Sequence, residues 1–164
     1  MNTGQMIMTI GAMILLSTII LRVNNNFSIN TSTVYDSKFA ILGTSVGASV
    51  IEEAMGKAFD ESTADTSASS LTDLTNPNKL GPETGEAYPN FNDFDDYNGY
   101  TKIDSTMPSA VFKIHCVVTY VNPNTPDVTS SNATWTKKIS VTVTSVSMKD
   151  TVRLSSLFSY WIFN

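Results

Sequence analysis

MNTGQMIMTIGAMILLSTIILRV, residues 1–23, carries no charged side chain before Arg22, and the fold is read outward from that stretch. As an α-helix it would span roughly 34 Å at ~1.5 Å per residue, enough to cross a hydrocarbon core ~30 Å thick. Its apolar residues fall on every side of that helix, so its natural surroundings are lipid or other apolar helices. A cleaved secretory signal has a basic start, a shorter apolar run and a small-residue cleavage site. This segment starts without Lys or Arg and runs into Leu21-Arg22-Val23, so the helix is expected to be retained. Gly4, Gly11, Ala12 and Ser17 would let helix backbones approach closely. That favours a helix that rests in the membrane and then packs among other helices, although periodicity alone also fits a one-pass anchor. Ile14 lies mid-stretch, where a charge would be costly, and Gln5, among apolar neighbours, needs a partner for its amide.

Asn24-Asn25-Asn26 follows directly. Asn side chains compete with helical hydrogen bonds, so residues 24–32 are expected to form a break. Thr31, Ser32 and Thr33 then offer N-caps, with Asp36 in the first turn. Tyr35, Phe39, Leu42, Val46, Val50, Ala54 and Ala58 recur every three or four residues, which predicts an amphipathic helix over 33–60. Gly43 and Gly47 sit near this stripe at ~1 kcal/mol of helicity each, and close contact with another helix or a sheet would explain them. Glu52-Glu53 reads as a solvated face.

Residues 61–108 read as a variable loop region. Ser and Thr fill eight of the fifteen positions 61–75, and Pro77, Gly81, Pro82, Gly85 and Pro89 keep the chain irregular. Within it, Phe91-Asn92-Asp93-Phe94-Asp95-Asp96-Tyr97-Asn98-Gly99-Tyr100 alternates aromatics with carboxylates. The aromatics are expected to pin the loop to a core while Asp93, Asp95, Asp96 and Asn98 form a turn. The same four residues are the candidate metal ligands, but they lack the twelve-residue calcium loop and its closing Glu. No metal and no cofactor is therefore expected.

Residues 109–164 read as antiparallel sheet. In 110–121, Ala110, Phe112, Ile114, Cys116, Val118 and Tyr120 share one face, against Lys113, His115 and Thr119 on the other. In 135–146, Trp135, Ile139, Val141 and Val143 oppose Lys138, Ser140, Thr142 and Thr144. In 151–163, Val152, Leu154, Phe158, Tyr160 and Ile162 align. A long Pro/Asn-rich connection and then one of hairpin length predict a meander. The expected fold is α+β: a long N-terminal helix, apolar then amphipathic, whose second half lids the buried face of the sheet.

Charge and chemistry narrow the function. Residues 23–108 hold four Lys against thirteen acidic residues, while 109–164 carry five basic against two. With a net charge of −5 the chain is a poor nucleic-acid partner, because phosphate binding needs a basic face. His115 and Cys116, the sole His and Cys, are strand neighbours that point to opposite faces and cannot form a nucleophile–base pair. No phosphate loop, zinc spacing or nucleophile elbow occurs, so an enzyme is not expected.

Apolar helix, amphipathic helix, variable loop and antiparallel sheet, in that order, resemble type IV pilins with the related minor pilins and pseudopilins. Phe94-Asp95-Asp96-Tyr97-Asn98-Gly99-Tyr100 is similar to the acidic-aromatic turn before the sheet in several minor pilins. Lys137-Lys138-Ile139-Ser140-Val141-Thr142-Val143 is similar to their second sheet strand. Family members usually have a basic leader ending in Gly and a Glu at the fifth mature position. Here Met1-Asn2-Thr3-Gly4 is not basic. If Gly4 closed a leader, Thr9 would be fifth. If Met1 is the mature start, Gln5 takes the Glu position and its amide would accept a hydrogen bond from a neighbour's terminal amine.

The resemblance implies a structural subunit of an extracellular filament, assembling through Met1, Gly4, Gln5, Gly11, Ile14 and Asn24–Asn26, with the Asn run interrupted in the assembled state. Its partners would be copies of itself, the assembly machinery and, beforehand, the cytoplasmic (inner) membrane. The alternatives are a minor pilin or pseudopilin, or a one-pass anchored extracytoplasmic binding module.

Overall fold

The computed structural model describes residues 2–160, so Met1 and the last part of the expected third strand, including Ile162, lie outside the described residues. One helix, α1, runs from Thr3 to Met55. The expected break at 24–32 is absent: Asn24, Asn25 and Asn26 are helical, and so are Thr31–Thr33. Two causes explain the difference. Between Gly11 and Gly43 the sequence contains neither Gly nor Pro, and an interior Asn costs only ~0.7 kcal/mol, whereas a break would orphan four backbone groups on each side. The hydroxyls expected as caps instead turn back on the helix, Thr31 Oγ1 donating to the Phe27 carbonyl at 2.9 Å and Thr33 Oγ1 to that of Ile29 at 3.0 Å.

The chain divides into two units, Met1–Lys38 and Phe39–Asn164. In the first, residues 2–35 are exposed throughout. In the second, the remainder of α1 buries Gly43, Val46, Gly47, Val50 and Ala54. The helix stops at Met55, short of the expected 60. Gly56 N–H is shared between the Glu52 and Glu53 carbonyls, and Ala58 then pairs with another segment, its N–H donating to Asn92 O at 3.2 Å and its carbonyl accepting from Phe94 N–H at 2.9 Å.

Among the described residues the sheet has five antiparallel strands: β1 (Thr101–Asp104), β2 (Phe112–Asn122), β3 (Thr125–Thr129), β4 (Thr136–Thr144) and β5 (Val152–Ser159). Their order is β1-β2-β4-β5, with β3 pairing on β2. The three expected strands correspond to β2, β4 and β5 and lie side by side. β1 falls inside the expected loop, and β3 inside the expected connection. Both are short and exposed along one side, and β3 carries Pro126, which a sheet tolerates at an edge.

The predicted alternation in β2 holds at every inward position from Phe112 to Tyr120. Phe112, Ile114, Val118, Ile139, Val141 and Val143 form one cluster with Val46, Val50 and Ala54, so the amphipathic part of α1 covers the sheet. Each such Ile, Val or Phe contributes roughly 1.5–3 kcal/mol on burial. Gly47 permits the approach, since a Cβ there would lie 2.8 Å from Leu154 Cδ1 and 3.2 Å from Val143 Cγ2.

Candidate functional site

Two features stand out chemically. The first is the surface of residues 3–38. Met6, Ile7 and Met8, successive residues pointing about 100° apart, are 50%, 68% and 79% exposed. Apolar side chains therefore meet the surroundings on every side. Ile14 and Gln5 are exposed, and nothing lies within 4 Å of where a Cβ on Gly4 or Gly11 would sit. Asn24–Asn26 are exposed on the same helix, while Met1 lies outside the described residues. Among the described residues this helix alone is long and apolar enough to cross a membrane.

The second feature is a buried charge node under the end of α1. Lys137 is fully buried, although a lone Lys almost never is. Its Nζ donates to the Phe59 carbonyl at 2.8 Å, to Asp60 Oδ2 at 2.8 Å and to Asp95 Oδ1. The Phe59 and Tyr120 rings flank the ammonium, with centroids at 4.7 and 5.2 Å. Asp60 also accepts from the Tyr120 hydroxyl, from Thr75 N–H and its hydroxyl, and from Ser62. Burial raises its pKa, but the Lys137 charge and these hydrogen bonds outweigh burial and hold it below the usual value. The node thus ties the exit of α1, the segment at 75, β2, β4 and the acidic turn together. Sequence reading missed Lys137, yet a signal was there: it has the same parity in β4 as Ile139, Val141 and Val143 and must face the core.

The acidic turn folds as expected, and its members do not converge on one point. Asp93 Oδ1 accepts from the Asp95 and Asp96 N–H groups at 2.8 and 3.1 Å, shaping the one-turn 3-10 helix Asp95–Tyr97. Asp95 turns to Lys137. Asn98 donates to the Leu80 carbonyl and accepts from Val118 N–H, fastening the loop to β2. Asp96 faces Glu83 and Glu86 instead. Phe91, Phe94 and Tyr97 are buried, and the Tyr97 hydroxyl donates to Glu53 Oε1 at 2.9 Å, so Glu53 is more than a solvated charge.

Asp60, Asp93, Asp95 and Asp96 are all fully buried. Burial, followed by the charge of Asp95, pushes Asp93 up to about 8. Burial likewise raises Asp95 despite Lys137. His115 is exposed and contacts Thr101 Oγ1 through Nδ1 at 3.2 Å, whereas Cys116 is buried and its thiol is pushed up to about 12 by burial.

No family model, no curated protein and no solved structure matches this chain.

Proposed function

We propose that this chain is a structural, pilin-like subunit that waits in a membrane through its apolar helix and polymerises through that helix into a cell-surface filament. The observation that carries the reading is the exposed apolar surface of residues 3–23, which a protein folded alone in water would not leave uncovered. Lipid and a bundle of like helices are the two surroundings that cover a helix apolar on all sides. Open space over Gly4 and Gly11 supports the bundle, because small residues let helices approach closely.

The sheet unit supports the reading as well. It has a core of its own, and the Lys137 node lies within it. The deciding experiment is to express the full chain in a host that assembles such filaments, shear the cells and examine the released fraction by negative-stain microscopy and immunoblotting. Fibres that contain the chain are the expected result. Chain retained wholly in the membrane fraction, with no fibres, would replace the filament with a one-pass anchor.

A further inference from the structure

Glu83, Glu86 and Asp96 each bring a carboxylate oxygen within 4.8 Å of the other two. The backbone holds two of them in place: Asn92 N–H donates both to Glu86 Oε1 at 3.1 Å and to Asp96 Oδ2 at 2.9 Å, and Asp93 N–H donates to Asp96 Oδ2 at 3.1 Å. Among the described residues no salt bridge reaches the group. Lys137 directs its donors to Phe59, Asp60 and Asp95, and Lys138 pairs with Asp127.

An independent observation points to a missing partner. Asp96 is fully buried, and its Oδ1 meets no hydrogen-bond donor. Glu83 Oε2 is likewise enclosed and without a donor. A buried carboxylate oxygen without a partner is costly, so the site calls for either a proton or a cation.

We propose that Glu83, Glu86 and Asp96 form a calcium-binding site that fastens the loop at 81–90 to the acidic turn. The ligands are all oxygen, which suits a hard cation. Mg²⁺ demands a near-ideal octahedron and dehydrates reluctantly, whereas Ca²⁺ accepts an irregular set of carboxylates and water. Three carboxylates that bind through one or both oxygens, with water completing the shell, meet the six to eight ligands that Ca²⁺ takes. Of the four residues in the acidic turn, Asp96 alone belongs to this site. The proposal is independent of the filament reading.

The test uses the full chain in detergent micelles, stripped with chelator and titrated with CaCl₂ by calorimetry at pH 7.5, alongside melts with CaCl₂ or EDTA. Saturable binding of one Ca²⁺ per chain is expected, with a rise in Tm that EDTA reverses and with Mg²⁺ at least about tenfold weaker. Glu83→Gln and Asp96→Asn should each weaken Ca²⁺ at least about tenfold, because each removes a charged ligand. Glu83→Gln without calcium should melt at or above the wild type, since it removes an uncompensated charge, so its loss of response cannot be ascribed to misfolding. Absence of saturable binding up to about 10 mM, ten times the weak end for extracellular modules, would overturn the site. So would unchanged affinity in Glu83→Gln.

Discussion

Lys137 joins the exit of α1, the acidic turn and β4. Its ammonium holds the carboxylates of Asp60 and Asp95 and the Phe59 carbonyl in an interior with no water-facing surface. Lys137→Met keeps the length of the side chain but leaves two buried carboxylates without their cation, which costs roughly 3–5 kcal/mol. Urea unfolding of the variant is expected to show a loss of that size, and a loss under about 1 kcal/mol would mean the node is dispensable. Asp93 makes the opposite case, since its Oδ2 has no partner and its carboxyl is raised to about 8. Between about pH 4 and 8 the folded chain holds a proton that the unfolded chain has released, so this group's stabilisation is full below about pH 4 and is lost as pH rises through about 8. Asp93→Asn retains an oxygen for the Asp95 and Asp96 N–H groups while removing the charge. Its Tm should exceed that of the wild type at pH 8 and match it near pH 4. A lower Tm at both would show that the ionised form is the one the turn needs.

Among the elements, legibility followed how strongly one physical signal dominated. β2 could be read because Phe112, Ile114, Cys116, Val118 and Tyr120 alternate with exposed residues over a long strand. β1 could not, because Thr101–Asp104 is short, polar and paired only with β2 in a region otherwise rich in turn residues. The Asn run misled for a related reason: local competition by three side chains is weak beside the cooperative cost of opening a helix whose hydrogen-bond ladder continues on both sides. The carboxylates that gather around Asp96 come from a loop without periodicity, so sequence spacing gave no sign of Glu83 and Glu86. Gly43 and Gly47 were legible only as a question, and the sheet answers it. Ala at Gly47 gains ~1 kcal/mol of helicity but drives its Cβ against Val143 Cγ2, a stiff and fully buried branch, as well as Leu154. At Gly43 the nearest atoms are Sδ and Cε of Met148, which can move aside. Gly47→Ala should therefore lower stability by about 1–2 kcal/mol while Gly43→Ala stays within about 0.5 kcal/mol of the wild type, as read by thermal melts. Equal effects at the two positions would rule out close packing at Gly47 as the cause.

For the whole molecule, the proposed filament requires one helix to serve two solvents. In a membrane residues 3–23 meet lipid tails, and in a polymer they would meet copies of themselves. Substitutions that one surrounding tolerates and the other does not can separate these roles. Leu is favourable in lipid, so Gly11→Leu should leave insertion intact. Between helices the added branch fills space that nothing in the single chain occupies, so any loss of fibres must come from contact with another copy. Ile14→Asp acts on both, because an ionised carboxylate costs about 2.5–3.5 kcal/mol at the centre of a membrane helix, and one left unpaired in a helical core recurs in every subunit of the polymer. Both variants lie in the first unit and neither residue belongs to the sheet's core cluster, so melting of the sheet unit should be unchanged and serves as the folding control. Membrane-bound chain should match the wild type for Gly11→Leu and fall for Ile14→Asp, while sheared fibre should fall several-fold for both. Full fibre yield from Ile14→Asp would show that this helix lines no apolar core, and the filament reading would fall with it.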